Sequence, residues 1–153
     1  MRKLLVSFAL ATSLVALSAS PVLAQGHHHG GKGHKGAQKA PLYGPNPGAP
    51  CPTGATATPQ TFGFAVLNTP GDETTVTGEV SLKHAARNTT YEVVNNQDDS
   101  GFCAVIGVGN LTTNRKGNGS LHFTTARLPG STRFWVTLKT APEELNTPAV
   151  ELD

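Results

Sequence analysis

The sequence predicts an all-β domain, a small antiparallel two-sheet sandwich of about seven strands. Three observations lead there. The run from Thr74 to Leu82 alternates cleanly between apolar and polar residues, which is the period of a half-buried strand. Turn-forming clusters recur roughly every ten residues downstream of it, the spacing of a sandwich or small barrel. Charged residues are only 14% of the 153, whereas Gly and Pro number 17 and 11, a balance that suits turns and strands better than helices.

Taken in order, the first strand expected is Thr61–Leu67, with Phe62, Phe64 and Val66 on one face, ending at Asn68-Thr69-Pro70-Gly71-Asp72. In Thr74–Leu82, Val76, Gly78, Val80 and Leu82 face one way and Thr75, Thr77, Glu79 and Ser81 the other. A third strand, Thr89–Asn95, turns Tyr91 and Val93 inward and runs into a polar loop from Asn95 to Gly101. Phe102–Thr113 is apolar but interrupted by Gly107 and Gly109, so it either holds a bulge or divides into two pieces. Asn114–Gly119 reads as a hairpin turn into Ser120–Thr125, with Leu121 and Phe123 inward. After Pro129-Gly130, Thr132–Lys139 points Phe134, Val136 and Leu138 to the core, and Ala149–Leu152 forms a last strand. A single open sheet would leave one apolar face wet, hence two packed sheets.

The first fifty residues have another character. Arg2 and Lys3 precede an apolar stretch from Leu4 to about Ala19, followed by Pro21 and Val22-Leu23-Ala24, the layout of a signal peptide cut after Ala24. Residues 1–24 are therefore expected to be removed, the mature chain to begin at Gln25, and the protein to be secreted or periplasmic, with no membrane span in the mature chain. Residues 25–50, rich in His, Gly, Lys and Pro, are expected to be a disordered tail, leaving 51–153 as the folded domain. Lys32, Lys35 and Lys39 make the tail basic, while residues 51–153 carry seven basic and ten acidic side chains. A nucleic-acid-binding domain would itself be basic, so nucleic acid is not an expected partner.

An oxidising compartment favours a disulfide between the two cysteines, Cys51 and Cys103. The closed loop of 53 residues makes that bond worth about 4 kcal/mol in the chain-entropy model. With both thiols consumed, no thiol nucleophile remains.

Ala85-Ala86-Arg87-Asn88-Thr89-Thr90-Tyr91, leading into Glu92-Val93-Val94, resembles the strand-entry corner of fibronectin type III and related immunoglobulin-like domains. The resemblance implies an immunoglobulin-like sandwich in which the Tyr91 hydroxyl bonds back to nearby backbone. It covers fewer than ten residues, departs from the family pattern at Ala85 and Arg87, and implies no function.

The most pointed chemistry lies in the tail. His27, His28, His29 and His34 supply imidazoles that suit Cu, Ni or Zn. Cleavage after Ala24 would place His27 third from a free amino terminus. The Gln25 amine, two backbone nitrogens and the His27 imidazole could then form a square plane fit for Cu(II) or Ni(II). Cyclisation of Gln25 would remove the amine; the bland alternative is a solvated leader with incidental histidines.

In the domain, Trp135 is expected to face outward beside Arg133, Thr137 and Lys139, a contact for a glycan, a peptide or an extracellular protein, unless a loop or the chain's own tail covers the ring. His84 and His122 show no partnering pattern. Asp98 and Asp99 offer oxygens to Ca²⁺ but lack the EF-hand register. No serine stands in a nucleophile elbow, so no catalytic constellation is expected. Asn88, Asn110 and Asn118 each begin an N-glycosylation triplet. These features lead to the expectation of an exported, non-enzymatic module acting by binding or surface display. The competing expectation is an extracytoplasmic Cu- or Ni-handling protein that uses its histidine tail.

Overall fold

Strand alternation sets the frame of the molecule, seen in a computed structural model that describes residues 36–71, 73–99 and 102–152. Nine strands occur among them: β1 Gln38–Tyr43, β2 Thr61–Asn68, β3 Thr75–Leu82, β4 Thr90–Asp99, β5 Phe102–Thr112, β6 Gly119–Ala126, β7 Arg133–Thr140, β8 Glu143–Asn146 and β9 Val150–Glu151. Every pairing is antiparallel, in the order β5-β4-β7-β8-β1-β2-β3-β6, with β9 added beside β7. The strands thus belong to one sheet nearly closed into a barrel, not to two separate sheets. Two joints are thin. β1 meets β8 through Tyr43↔Asn146 alone, and β5 and β6, consecutive in the chain, share no ladder among the described residues.

The inner face carries the core. Leu42, Leu67, Val76, Val80, Tyr91, Phe134, Val136 and Leu138 are among its fully buried members. β3 holds the expected phase, with Val76, Gly78, Val80 and Leu82 all buried. Its Gly78 lies opposite Phe123 of β6, and a Cβ there would collide with the Phe123 ring, so glycine makes room for the aromatic.

β2 departs from the expected phase. Phe62 is buried, but Ala65 and Leu67 follow it inward, while Phe64 and Val66 lie half-exposed outside. The cause is a bulge. Pro41 pairs with Phe64 and Tyr43 with Thr61, so β2 spends one more residue than β1 over the same span. Gly63 sits within it at φ +122°, where a Cβ would meet the Ser81 carbonyl oxygen, so only glycine can turn the chain there. In β5 the two glycines mark the other bulge: Val93 pairs with Gly109 and Val94 with Gly107, leaving Val108 as the extra residue.

Two further expectations give way. Order begins well before Cys51, because Gln38–Tyr43 is a strand whose Ala40 and Leu42 are buried. Its alternation is masked in the sequence by Pro41, which cannot donate to a ladder and is tolerated where pairing on one side is sparse. The supposed polar loop after Asn95 is the second half of β4. Asn95 and Gln97 continue the inward parity of Tyr91 and Val93, and both are fully buried.

Buried amides require partners. Gln97 donates through Nε2 to the Ala126 carbonyl (2.8 Å) and to Asn95 Oδ1 (3.0 Å), and its Oε1 accepts from the Leu128 N–H (2.8 Å). It therefore fastens the β6–β7 connection over one end of the barrel. Arg127 tightens that connection by donating to the Ser131 carbonyl and lying 5.6 Å over the Phe134 ring.

The Tyr91 hydroxyl accepts from the Ala86 N–H (3.3 Å) and donates to Glu143 Oε2 (2.7 Å). A nearly closed barrel is not clearly the immunoglobulin-like frame that the Tyr91 corner resembles. No helix among the described residues is long and apolar enough to cross a membrane.

Candidate functional site

The connection between β1 and β2 crosses the outside of the sheet as a strap. Near its start, the Asn46 N–H donates to the Glu144 carbonyl (2.6 Å), and the Glu144 N–H donates back to Asn46 Oδ1 (2.8 Å). Further along, Cys51 is joined to Cys103 of β5, with Cα atoms 5.9 Å apart, well inside the reach of a disulfide. The chain then turns back: the Ala55 N–H donates to the Thr147 carbonyl (2.9 Å) and the Ala149 N–H to the Thr53 carbonyl (2.8 Å). Between Glu144 on β8 and Cys103 on β5 stand β7 and β4, so the strap passes over the outer face of both.

That face includes Trp135, Thr137, Val94 and Asn96, as the register Val94↔Thr137 and Asn96↔Trp135 requires. Trp135 is on the predicted face but only 2% exposed, which overturns its expected role as an open contact. The physical reason is the strap, the loop cover weighed against the open reading. Asn96 Nδ2 donates to Thr137 Oγ1 (2.9 Å) beside it. Asn146, fully buried on the same face, donates from Nδ2 to Glu144 Oε1 (2.9 Å) and leaves Oδ1 without a partner among the described residues. Arg133 stays accessible, its guanidinium 3.9 Å from the Glu151 carboxylate in an exposed pair worth little. It borders a shallow cavity with Pro52, Thr53, Ala149 and Glu151.

The other notable surface is the start of β5. Phe102 is 81% exposed and Val105 57%, and they are the exposed large hydrophobic side chains among the described residues. The strand carries no charge from Phe102 to Thr112, and among the described residues its edge toward β6 has no ladder. An uncharged, apolar open edge is a template for pairing with another strand. In the sequence the run from Phe102 to Thr113 is apolar but broken by Gly107 and Gly109, so its alternation assigns neither Phe102 nor Val105 to a face.

The remaining candidates scatter. His84 and His122 are exposed, on the β3–β4 connection and on β6. Asp98 lies within β4, paired with Cys103 and Arg133, so the polar loop expected around it is strand. Among the described residues no group of three or more His, Cys, Asp or Glu could hold a metal ion. Asn88 and Asn110 are exposed, whereas Asn118 is half-buried, with Oδ1 accepting from the His84 N–H (3.3 Å). Gln25, His27, His28, His29, His34 and the cleavage point lie outside the described residues.

Burial and the Glu143 carboxylate together push the Tyr91 hydroxyl up to about 12, burial being the larger cause. Such a phenol stays protonated and acts as a structural link, not as a base. No protein-family model, no curated protein and no solved structure matches this chain.

Proposed function

We propose that the chain is an exported, non-enzymatic binding module whose contact surface is the first half of β5, offered to an extended segment of an extracellular protein. The observation that carries this reading is the exposure of Phe102 and Val105 on an uncharged strand edge that, among the described residues, has no ladder on its β6 side. Added strands gain main-chain hydrogen bonds at such an edge and specificity from alternate side chains. The Cys51–Cys103 bond supports an extracytoplasmic setting, as does the signal-like N-terminus. Extracellular material from the source organism, passed over the immobilised mature chain, tests it. Captured protein must be lost with Phe102→Asp/Val105→Lys, whose far-UV circular dichroism stays unchanged, and amide protection on binding must fall within residues 102–107. Equal capture by the wild type and the double variant overturns the reading.

A second reading rests on the position of His27 after the expected cut at Ala24: a Cu(II)- or Ni(II)-handling protein in which the barrel carries a metal-capturing tail.

A further inference from the structure

The strap and the barrel are held by different forces. Among the described residues, no member of the barrel core cluster lies between Leu42 and Phe62, and the strap pairs with the barrel only through the isolated bridge Gly54↔Pro148. Trp135 and Val94 are buried but stand apart from that cluster, on the outer face that the strap crosses. At its far point the strap is fixed to β5 by the Cys51–Cys103 bond. Its hydrogen bonds to the barrel sit to either side of that point, at Asn46 and at Thr53–Ala55. Cys51 is exposed and Cys103 is half-buried, so one of the two sulfur atoms belongs to a residue open to attack.

We propose that this bond is a redox-operated latch: a dithiol reductant opens it, and the strap lifts from the Trp135 face while the barrel stays folded. The exchange balances as a two-electron, two-proton step. A reductant thiolate attacks the Cys51 sulfur, and Cys103 leaves as a thiolate and takes a proton. The second reductant thiol displaces Cys51, leaving two protein thiols and the cyclic disulfide of the reductant. The uncovered surface presents an indole flanked by the Asn96 and Asn146 amides and the Thr137 hydroxyl, a composition that favours contact with a partner. This inference does not depend on a partner at β5.

Trp135 is the single tryptophan of the chain, so its fluorescence reports the strap directly. The mature protein is compared with and without excess dithiothreitol, and with Cys51→Ser and Cys103→Ser made without reductant. Acrylamide quenching of Trp135 is expected to rise several-fold in all three perturbed samples, with the far-UV strand signal kept and new protease cleavage within residues 46–53. Quenching that stays at the oxidised wild-type level overturns the proposal. So does loss of the strand signal on reduction, or failure of both serine variants to fold, because the bond would then hold the barrel and not the strap.

Discussion

Gln97→Ala tests whether one buried amide closes the barrel end. The side chain is fully buried and makes three hydrogen bonds, to Ala126, Asn95 and Leu128. At about 0.5–1.5 kcal/mol net for each bond, the loss centres on about 3 kcal/mol. The space left behind and the stranded Leu128 N–H push the value upward. For a domain of this size, that corresponds to a fall in Tm of about 10 °C. Urea unfolding followed by Trp135 emission gives the number, and hydrogen exchange at the Leu128 amide localises it. Gln97→Glu keeps the shape but sets an acceptor against the Ala126 carbonyl and Asn95 Oδ1. Burial raises the new carboxyl's pKa in the folded state, so that variant should lose further stability as pH rises above about 4. A loss below about 1 kcal/mol for Gln97→Ala, with the Leu128 amide still protected, would show that the β6–β7 connection is held by packing instead.

Two further outcomes follow from groups already placed. Tyr91 has its pKa raised from 10.0 to about 12 in the fold, so its contribution is complete well below pH 10 and is lost as pH climbs through 12; stability should fall by at most about 2 kcal/mol between pH 10 and 12. With Tyr43→Phe leaving Tyr91 as the only phenol, absorbance titration should show one late midpoint, lowered by Glu143→Gln; an ordinary midpoint in the folded protein would contradict the buried Tyr91–Glu143 link. On the metal reading, mature protein with a free Gln25 amine should bind one Cu(II) per chain, more weakly as pH falls because the amine and imidazole must lose protons. His27→Ala or terminal acetylation should abolish that site and His34→Ala should spare it; equal binding by blocked and unblocked protein removes the terminal site.

What the sequence makes legible follows from what leaves a period. β3 is read correctly, residue by residue, because its alternation is unbroken, and β7 yields its inner set Phe134, Val136 and Leu138 for the same reason. Where a bulge inserts a residue, as at Gly63, parity flips and Phe64 changes face, an event that local pattern does not announce. β1 is hidden by proline, and β8, Glu143–Asn146, by two adjacent carboxylates. The Asn95–Gln97 run looks like solvent-loving loop because composition cannot tell whether amides meet water or each other. Cys51 and Cys103 are paired as anticipated. Their second consequence, a strap carried over Trp135, depends on which strands are neighbours, and β4 and β7 are brought together only by tertiary pairing.

The single rung Tyr43↔Asn146 has a consequence for the order of assembly. β1, β2, β3 and β6 form one run of neighbouring strands, and β5, β4, β7 and β8 form the other. The strand that joins them, β8, is made near the end of the chain, while its partner β1 is the first strand among the described residues. A chain threaded through a translocation pore from its amino terminus would deliver β1 first and hold that edge unmated until almost everything else had emerged. Closing so long a loop costs little more entropy than closing one of half the length, but it cannot begin before the last strands arrive. Chaperones that shield strand edges would find their natural client in that interval, and a stop codon just before Glu143 would prolong it indefinitely.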